Sequence, residues 1–264
     1  MDILTKIVNR KKEEIAIRKR LVPESKLTNL PGFGSPVKAF SSFIRDPLLS
    51  GIIAEFKRKS PSRPDINPEA KVRGVIPGYT LAGASALSVL TDVDFFGGSD
   101  DDLAEARTLT HLPLLRKDFI IDPYQIVEAK SLGADVILLI AEILTKAEAD
   151  MLSRTATELG MEVLLEIHSA DQLTKYHERI RNVGVNNRNL TNFVTDVRFS
   201  MEILPFLPEG VTRISESGID RPETVILLRD LGFNGFLIGE NFMKTANPGM
   251  ACRDFIQNIK STIP

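Results

Sequence analysis

The sequence predicts an α/β fold: a (β/α)8 TIM barrel preceded by an N-terminal helical extension. Three observations predict it. From Gly51 onwards, short apolar β-type runs alternate with amphipathic helical runs, which is the pattern of a parallel sheet. Helical runs end on Leu-Gly at Leu132, Leu159 and Leu231, each followed within a few residues by a strand. An open doubly wound sheet would carry a G-x-G-x-x-G turn after its first strand, whereas the chain reads Lys57-Arg58-Lys59-Ser60-Pro61-Ser62 there.

The elements follow in order. Residues Met1 to Leu21 carry Ile3, Leu4, Ile7, Val8 and Ile15 among many charges, which predicts a helix with a narrow apolar stripe. Pro23 and Pro31-Gly32 mark a loop, and Pro36 to Ile44 reads as a short second helix closed by Asp46-Pro47. Residues 1–47 are therefore expected as an extension packing on a barrel of residues 48–264, the two forming one structural domain. Strands are predicted at Gly51–Lys57, Ala84–Leu90, Pro113–Lys117, Asp135–Ile140, Glu162–Ile167, Asn182–Asn186, Thr212–Glu216 and Gly235–Ile238. The intervening helices are Pro68–Ala82, Asp100–Thr110, Pro123–Leu132, Thr145–Leu159, Ser169–Ile180, Asp196–Leu204 and Arg221–Leu231, with a last one from Asn247-Pro248 to Ser261. Thr145 and Glu148 form a capping box. Pro77-Gly78 sits awkwardly inside the first of these helices, because an interior proline loses a hydrogen bond.

Composition narrows the function. The 264 residues are 43% hydrophobic and 26% charged with net charge -2, which fits a large core and gives no case for nucleic acid or an anionic membrane. Aromatic content of 6% without tryptophan argues against a base-stacking platform. A single cysteine, Cys252, excludes an internal disulfide and a cysteine zinc site, and its context reads as structural. The charged, amphipathic N-terminus resembles neither a secretory signal nor a membrane span, so the cytoplasm is the expected compartment.

In a barrel, function gathers at the C-terminal ends of the strands. The first strand delivers Glu55 and Lys57 to one face, followed by Ser60. An inward charge pair makes sense if that face opens into a cavity; the plain alternative is a strand ending in a solvated basic loop. Strand three ends in Arg116-Lys117-Asp118, where alternation sends Lys117 inward and leaves Arg116 and Asp118 as a structural pair. Strand five ends in Glu166. Strand six ends in Asn186, with Arg188 just beyond. Strands seven and eight end in Glu216-Ser217-Gly218 and Gly239-Glu240, the place where barrels build phosphate sites from backbone N–H groups. Glu240 fits such a site only if its side chain turns away. His111, His168 and His177 lack metal-ligand spacing and are expected at the surface or in supporting positions.

These residues carry a family resemblance. Ile53 to Ser62 resembles the first-strand signature of indole-3-glycerol phosphate synthases. Ser88 to Asp92 with Phe95 to Ser99, Leu115 to Ile120, Leu165 to His168, Val185 to Leu190, Ser215 to Ile219 and Phe236 to Glu240 follow in the family's order. The resemblance implies a carboxy-lyase of tryptophan biosynthesis. It would close an indole ring on 1-(2-carboxyphenylamino)-1-deoxyribulose 5-phosphate, losing carbon dioxide and water, with no metal or other cofactor. It implies Lys117 as general acid for ring closure and Glu166 as acid/base for dehydration. Lys57 would grip carboxylate or phosphate, and Glu55 would tune the lysines. Ser60 and Asn186 would orient substrate, Arg188 and Ser217 would support them, and Gly218, Gly239 and Glu240 would bind phosphate. Which lysine acts in which step stays open. The expected partner is this phosphorylated, carboxylated small molecule, acting on a monomer. One departure is Arg63-Pro64, where the family usually has a basic residue and glycine; proline stiffens the first loop. Rival readings are a phosphoribosylanthranilate isomerase, a Schiff-base aldolase and a non-catalytic phospholigand-binding barrel.

Overall fold

The structure, a computed structural model, describes residues 2–189 and 193–261; Leu190, the last residue of one motif above, lies outside them. Eight parallel strands close in sequence order: β1 (Ile52–Phe56), β2 (Ala86–Leu90), β3 (Leu114–Lys117), β4 (Val136–Ile140), β5 (Glu162–Ile167), β6 (Asn182–Asn186), β7 (Thr212–Glu216) and β8 (Gly235–Ile238), with β8 pairing back to β1. The helices are α1 (Ile3–Leu21), α2 (Glu24–Leu27), α3 (Phe40–Arg45), α4 (Val72–Ala82), α5 (Asp100–Leu109), α6 (Pro123–Ser131), α7 (Lys146–Glu158), α8 (Arg198–Ile203), α9 (Pro222–Leu231), α10 (Glu240–Met243) and α11 (Pro248–Ser261).

Alternation along each strand sorts its side chains into two cores. Ile52, Ala54 and Phe56 pack outward against the helices, while Ile53, Leu115, Leu138, Leu164, Ile214 and Leu237 fill the barrel. Phe40 and Ile44 of α3 join this inner core; the Ile44 side chain packs against Gly235 at the start of β8. At the opposite, C-terminal end, Ile7 of α1 and Phe119 complete it.

Ionic contacts fix α1 to the barrel. Lys11 is almost fully buried, with Nζ 3.1 Å from Asp92 after β2, 3.0 Å from Asp118 after β3 and 2.9 Å from Glu14. Burial opposes that charge, but Asp118 and Asp92 outweigh it and raise the lysine's pKa. Arg18 reaches Glu128 of α6 at 3.0 Å. Below, the Ser41 amide and hydroxyl donate to Glu162 at 3.1 and 3.0 Å.

Three local expectations change. The segment read as a helix over Ser169–Ile180 is a 3-10 stretch, Ala170–Lys175, with no buried residue. Its polar groups bond outward: Gln172 Oε1 accepts the His168 amide, and Lys175 Nζ donates to the Ala141 carbonyl. Without a buried apolar stripe, nothing drives a full helix to form. The helix expected from Pro36 begins only at Phe40, and Glu24–Leu27 is helical where a loop was expected. Pro77 lies inside α4, and the adjacent Gly78 touches Gly249 of α11, so that a Cβ on either would meet the other's Cα within 2.9 Å. The Pro-Gly pair thus marks a close helix crossing. Gly249→Val should destabilise the protein by about 1–3 kcal/mol, read from urea unfolding midpoints, because both backbones must separate.

Candidate active site

The inward positions nearest the strand C-termini meet in one cluster. Lys57 Nζ lies 2.7 Å from Glu55 Oε1, confirming that the pair shares a face. Lys117 Nζ lies 3.0 Å from Glu166 Oε2 and 3.5 Å from Glu216 Oε2. Asn186 hydrogen-bonds Glu166 and accepts the Arg188 amide at 3.0 Å. Arg116, on the opposite face of β3, is buried beneath the helices and pairs with Glu128 at 2.8 Å and Asp118 at 3.5 Å, the structural role expected of it.

Two glycines make room for this cluster. A Cβ at Gly239 would lie 2.5 Å from Glu55 Oε1, and one at Gly184 would lie 2.1 Å from Glu216 Oε1. Each carboxyl therefore occupies space that a larger residue on the neighbouring strand would fill.

Burial decides the charges. It opposes the Lys117 ammonium, but Glu166, Glu216 and Glu55 together raise its pKa, so it stays protonated at any working pH. A Schiff-base lysine needs a neutral amine, which disfavours the aldolase reading. Burial also opposes the Glu166 carboxylate, yet Lys117 and then His168 hold it below the usual range. Glu216 goes the other way: burial pushes it up to about 8, against Lys117 and with help from Glu166. The two carboxyls thus share a proton at neutral pH. Sequence reasoning placed Glu216 at the end of β7 but gave it no role.

This gives a signed prediction. Glu216 keeps its proton below about 8 and loses it as pH rises through that value. The profile of kcat/KM should fall on the alkaline side near that pH, and Glu216→Gln should abolish that limb.

Beside the cluster is a cavity of about 300 Å³ lined by Lys57, Arg63, Arg188, Ser217, Gly218 and Gly239, among others. Ser217 and Gly218 are both left-handed, with φ of 68° and 76°. Such strain on a non-glycine residue is tolerated where the backbone must present itself to a ligand. The Glu240 carboxylate does not leave the cavity: it lines it together with Arg63 and Arg188, 3.3 Å from Arg63 Nε and 3.4 Å from an Arg188 nitrogen. Ser60 is buried in the first loop, its hydroxyl 3.2 Å from that of Ser62, and it is Ser62 that accepts from Arg188, at 2.8 Å. Pro64 does not disrupt this loop: Ser60 and Arg63 close a turn through two backbone bonds of 2.8 and 3.0 Å. A larger cleft of about 810 Å³ runs between α1 and the end of β6, reaching Leu4, Ile143, His168, Asn186 and Phe199.

Cys252 is buried in α11 and burial pushes its thiol up to about 12, in keeping with a structural role. Among the described residues, no group of three or more His, Cys, Asp or Glu is placed to hold a metal ion, and no helix is long and apolar enough to cross a membrane.

Proton transfer on an anionic small molecule is what this mouth is equipped for, which places the protein among the (β/α)8-barrel enzymes of acid–base chemistry. The family model described as indole-3-glycerol phosphate synthase matches residues 4–255. The indole-3-glycerol phosphate synthase of Bacteroides thetaiotaomicron is 47% identical over 98% of this chain and 99% of its own length. That of Bordetella pertussis is 42% identical over 94% of this chain and 97% of its own. The chain belongs to the indole-3-glycerol phosphate synthase family, carboxy-lyases of tryptophan biosynthesis. Its substrate is the phosphorylated, carboxylated 1-(2-carboxyphenylamino)-1-deoxyribulose 5-phosphate. Two solved barrels share the fold alone. One, described as native KDPGal, has TM-score 0.57 at 13% identity over 80% of this chain and 92% of its own. The other, KGPDC from Streptococcus mutans, has TM-score 0.58 at 12% identity over 80% and 97%.

Proposed function

We propose that ring closure, decarboxylation and dehydration all take place over the Lys117 cluster, with the substrate phosphate in the arginine-rimmed cavity. The observation that carries this is Lys117 held among Glu166, Glu216 and Glu55. Its ammonium faces the ribulose carbonyl and gives that oxygen a proton as the aromatic carbon attacks. Loss of carbon dioxide then restores aromaticity. Glu166, steadied by Asn186, manages the protons of dehydration beside Glu216. Glu55 offsets positive charge on the developing iminium and fixes Lys57, which grips the substrate carboxylate or phosphate.

Phosphate sits against the backbone of Gly218 and Gly239 and near Ser217, while Arg63 and Arg188 exchange the Glu240 carboxylate for it. Ser60 acts through Ser62 to set the first loop over Arg188. Glu240 contributes its backbone, and its carboxylate holds the arginines before substrate arrives. Phe96 and Phe119, in the loops after β2 and β3 with ring centres 5.8 Å apart, are the aromatic side chains we assign to the substrate's ring. We also propose that residues 1–47 and the barrel form one structural domain, and that the enzyme is a cytoplasmic monomer.

The test is turnover of the synthetic substrate by the purified protein in the presence of a metal chelator, followed by indole emission. Sustained product formation is expected, and inertness would overturn the reading. Arg188→Met should raise KM about ten- to a hundredfold and change kcat less, since it removes a charged grip on the phosphate.

A further inference from the structure

Each turnover consumes a proton that the substrate does not bring. The substrate enters as a carboxylate and leaves as carbon dioxide, water and an indole, and the balance requires one H⁺ from solvent. Glu55, Glu166 and Glu216 are each at most 3% exposed, so the importing group must lie elsewhere.

His168 stands where such a group is needed. It follows β5 two residues beyond Glu166, and its Nε2 lies 3.5 Å from Glu166 Oε1. Its side chain is 10% exposed, yet neither ring nitrogen has a hydrogen-bond partner. Leaving both nitrogens of a buried imidazole without a partner is costly unless something transient serves them. The His168 amide is held at 2.7 Å by Gln172 Oε1, which fixes the backbone beside Glu166. The residue lines the 810 Å³ cleft, so it borders both Glu166 and the open side of the mouth. The charged group nearest its ring is Glu166, itself paired with Lys117, and the cleft it borders also carries Glu142, Asp2, Lys12, Arg188 and Asp196.

We propose that His168 is a positioning residue that relays solvent protons from the cleft to Glu166. Glu166, acting as the acid with the proton it shares with Glu216, gives that proton to the departing hydroxyl, which leaves as water. The resulting carboxylate takes the Nε2 proton of the imidazolium, and the neutral ring takes a replacement from cleft water or buffer. This role rests on the assignment of Glu166 above.

The test compares His168→Asn and His168→Gln with wild type and Glu166→Gln, each checked for native melting. In the His168 variants kcat should fall about tenfold or more with KM unchanged, and added imidazole should restore it. Their rate should also rise with buffer concentration, which a purely structural defect would not produce. Rates within about twofold of wild type, or a loss that neither imidazole nor buffer repairs, would overturn the relay. If Glu166→Gln turns over like wild type, the Glu166 assignment itself is wrong. If Glu166→Gln is blocked while both His168 variants are unaffected, only the relay fails.

Discussion

Lys117→Met should lower kcat by about 10²- to 10⁴-fold while KM changes only a few-fold. The ammonium lies 3.0 Å from Glu166, and among the described residues no other lysine comes within ion-pair distance of that carboxylate. Lys57 cannot substitute, because it is engaged 2.7 Å from Glu55 on the phosphate side of the mouth. The substitution also reverses a charge balance in the fold. In the wild type the Glu166 pKa is lowered, so its stabilisation is present above the ordinary carboxylate value and lost as pH falls. Without Lys117, burial dominates and the same pKa rises. The variant then keeps its stability at acid pH and loses it as pH climbs. Melting curves of the two proteins should therefore lie close together at about pH 5 and diverge toward about pH 8. A constant offset across that range would mean that Lys117 does not hold Glu166 ionised.

Glu166→Gln keeps the size of the side chain and its bond to Asn186 but can neither take nor give a proton. It should reduce kcat by about 10²- to 10⁴-fold with little effect on KM, because the proposed grip on substrate lies elsewhere, at Lys57 and Arg188. Lys117 keeps its ammonium in this variant, since Glu216 and Glu55 remain beside it. Ring closure should therefore continue while dehydration stalls. An equal loss at every step would place Glu166 in substrate binding instead.

Much of this site was legible because a strand has a period of two. That rule alone sent Lys117 inward and Arg116 outward, and it put Glu55 and Lys57 on one face. What stayed hidden depends on contacts between separate strands and loops. The proton on Glu216 requires Gly184 of β6 to leave space and Glu166 of β5 to stand close, and neither can be read from the residues around Glu216. The clasp of Ser62 on Arg188 joins loops 126 residues apart. His168 looked like a supporting residue because its meaning lies in its 3.5 Å approach to Glu166 and its two unpartnered nitrogens. The Ser169–Ile180 segment failed for the opposite reason: its local pattern suits a helix, but no buried face exists to stabilise one.

The central claim is an order of action, with Lys117 working before carbon dioxide leaves and Glu166 after. Rapid-quench mass spectrometry on the enzyme-bound pool tests it most directly. When Glu166→Gln is mixed with substrate, a species that has lost carbon dioxide but still retains the water should accumulate, and Lys117→Met should hold only unchanged substrate. Unchanged substrate alone in Glu166→Gln, or the decarboxylated species in Lys117→Met, would contradict the assignment of the two residues.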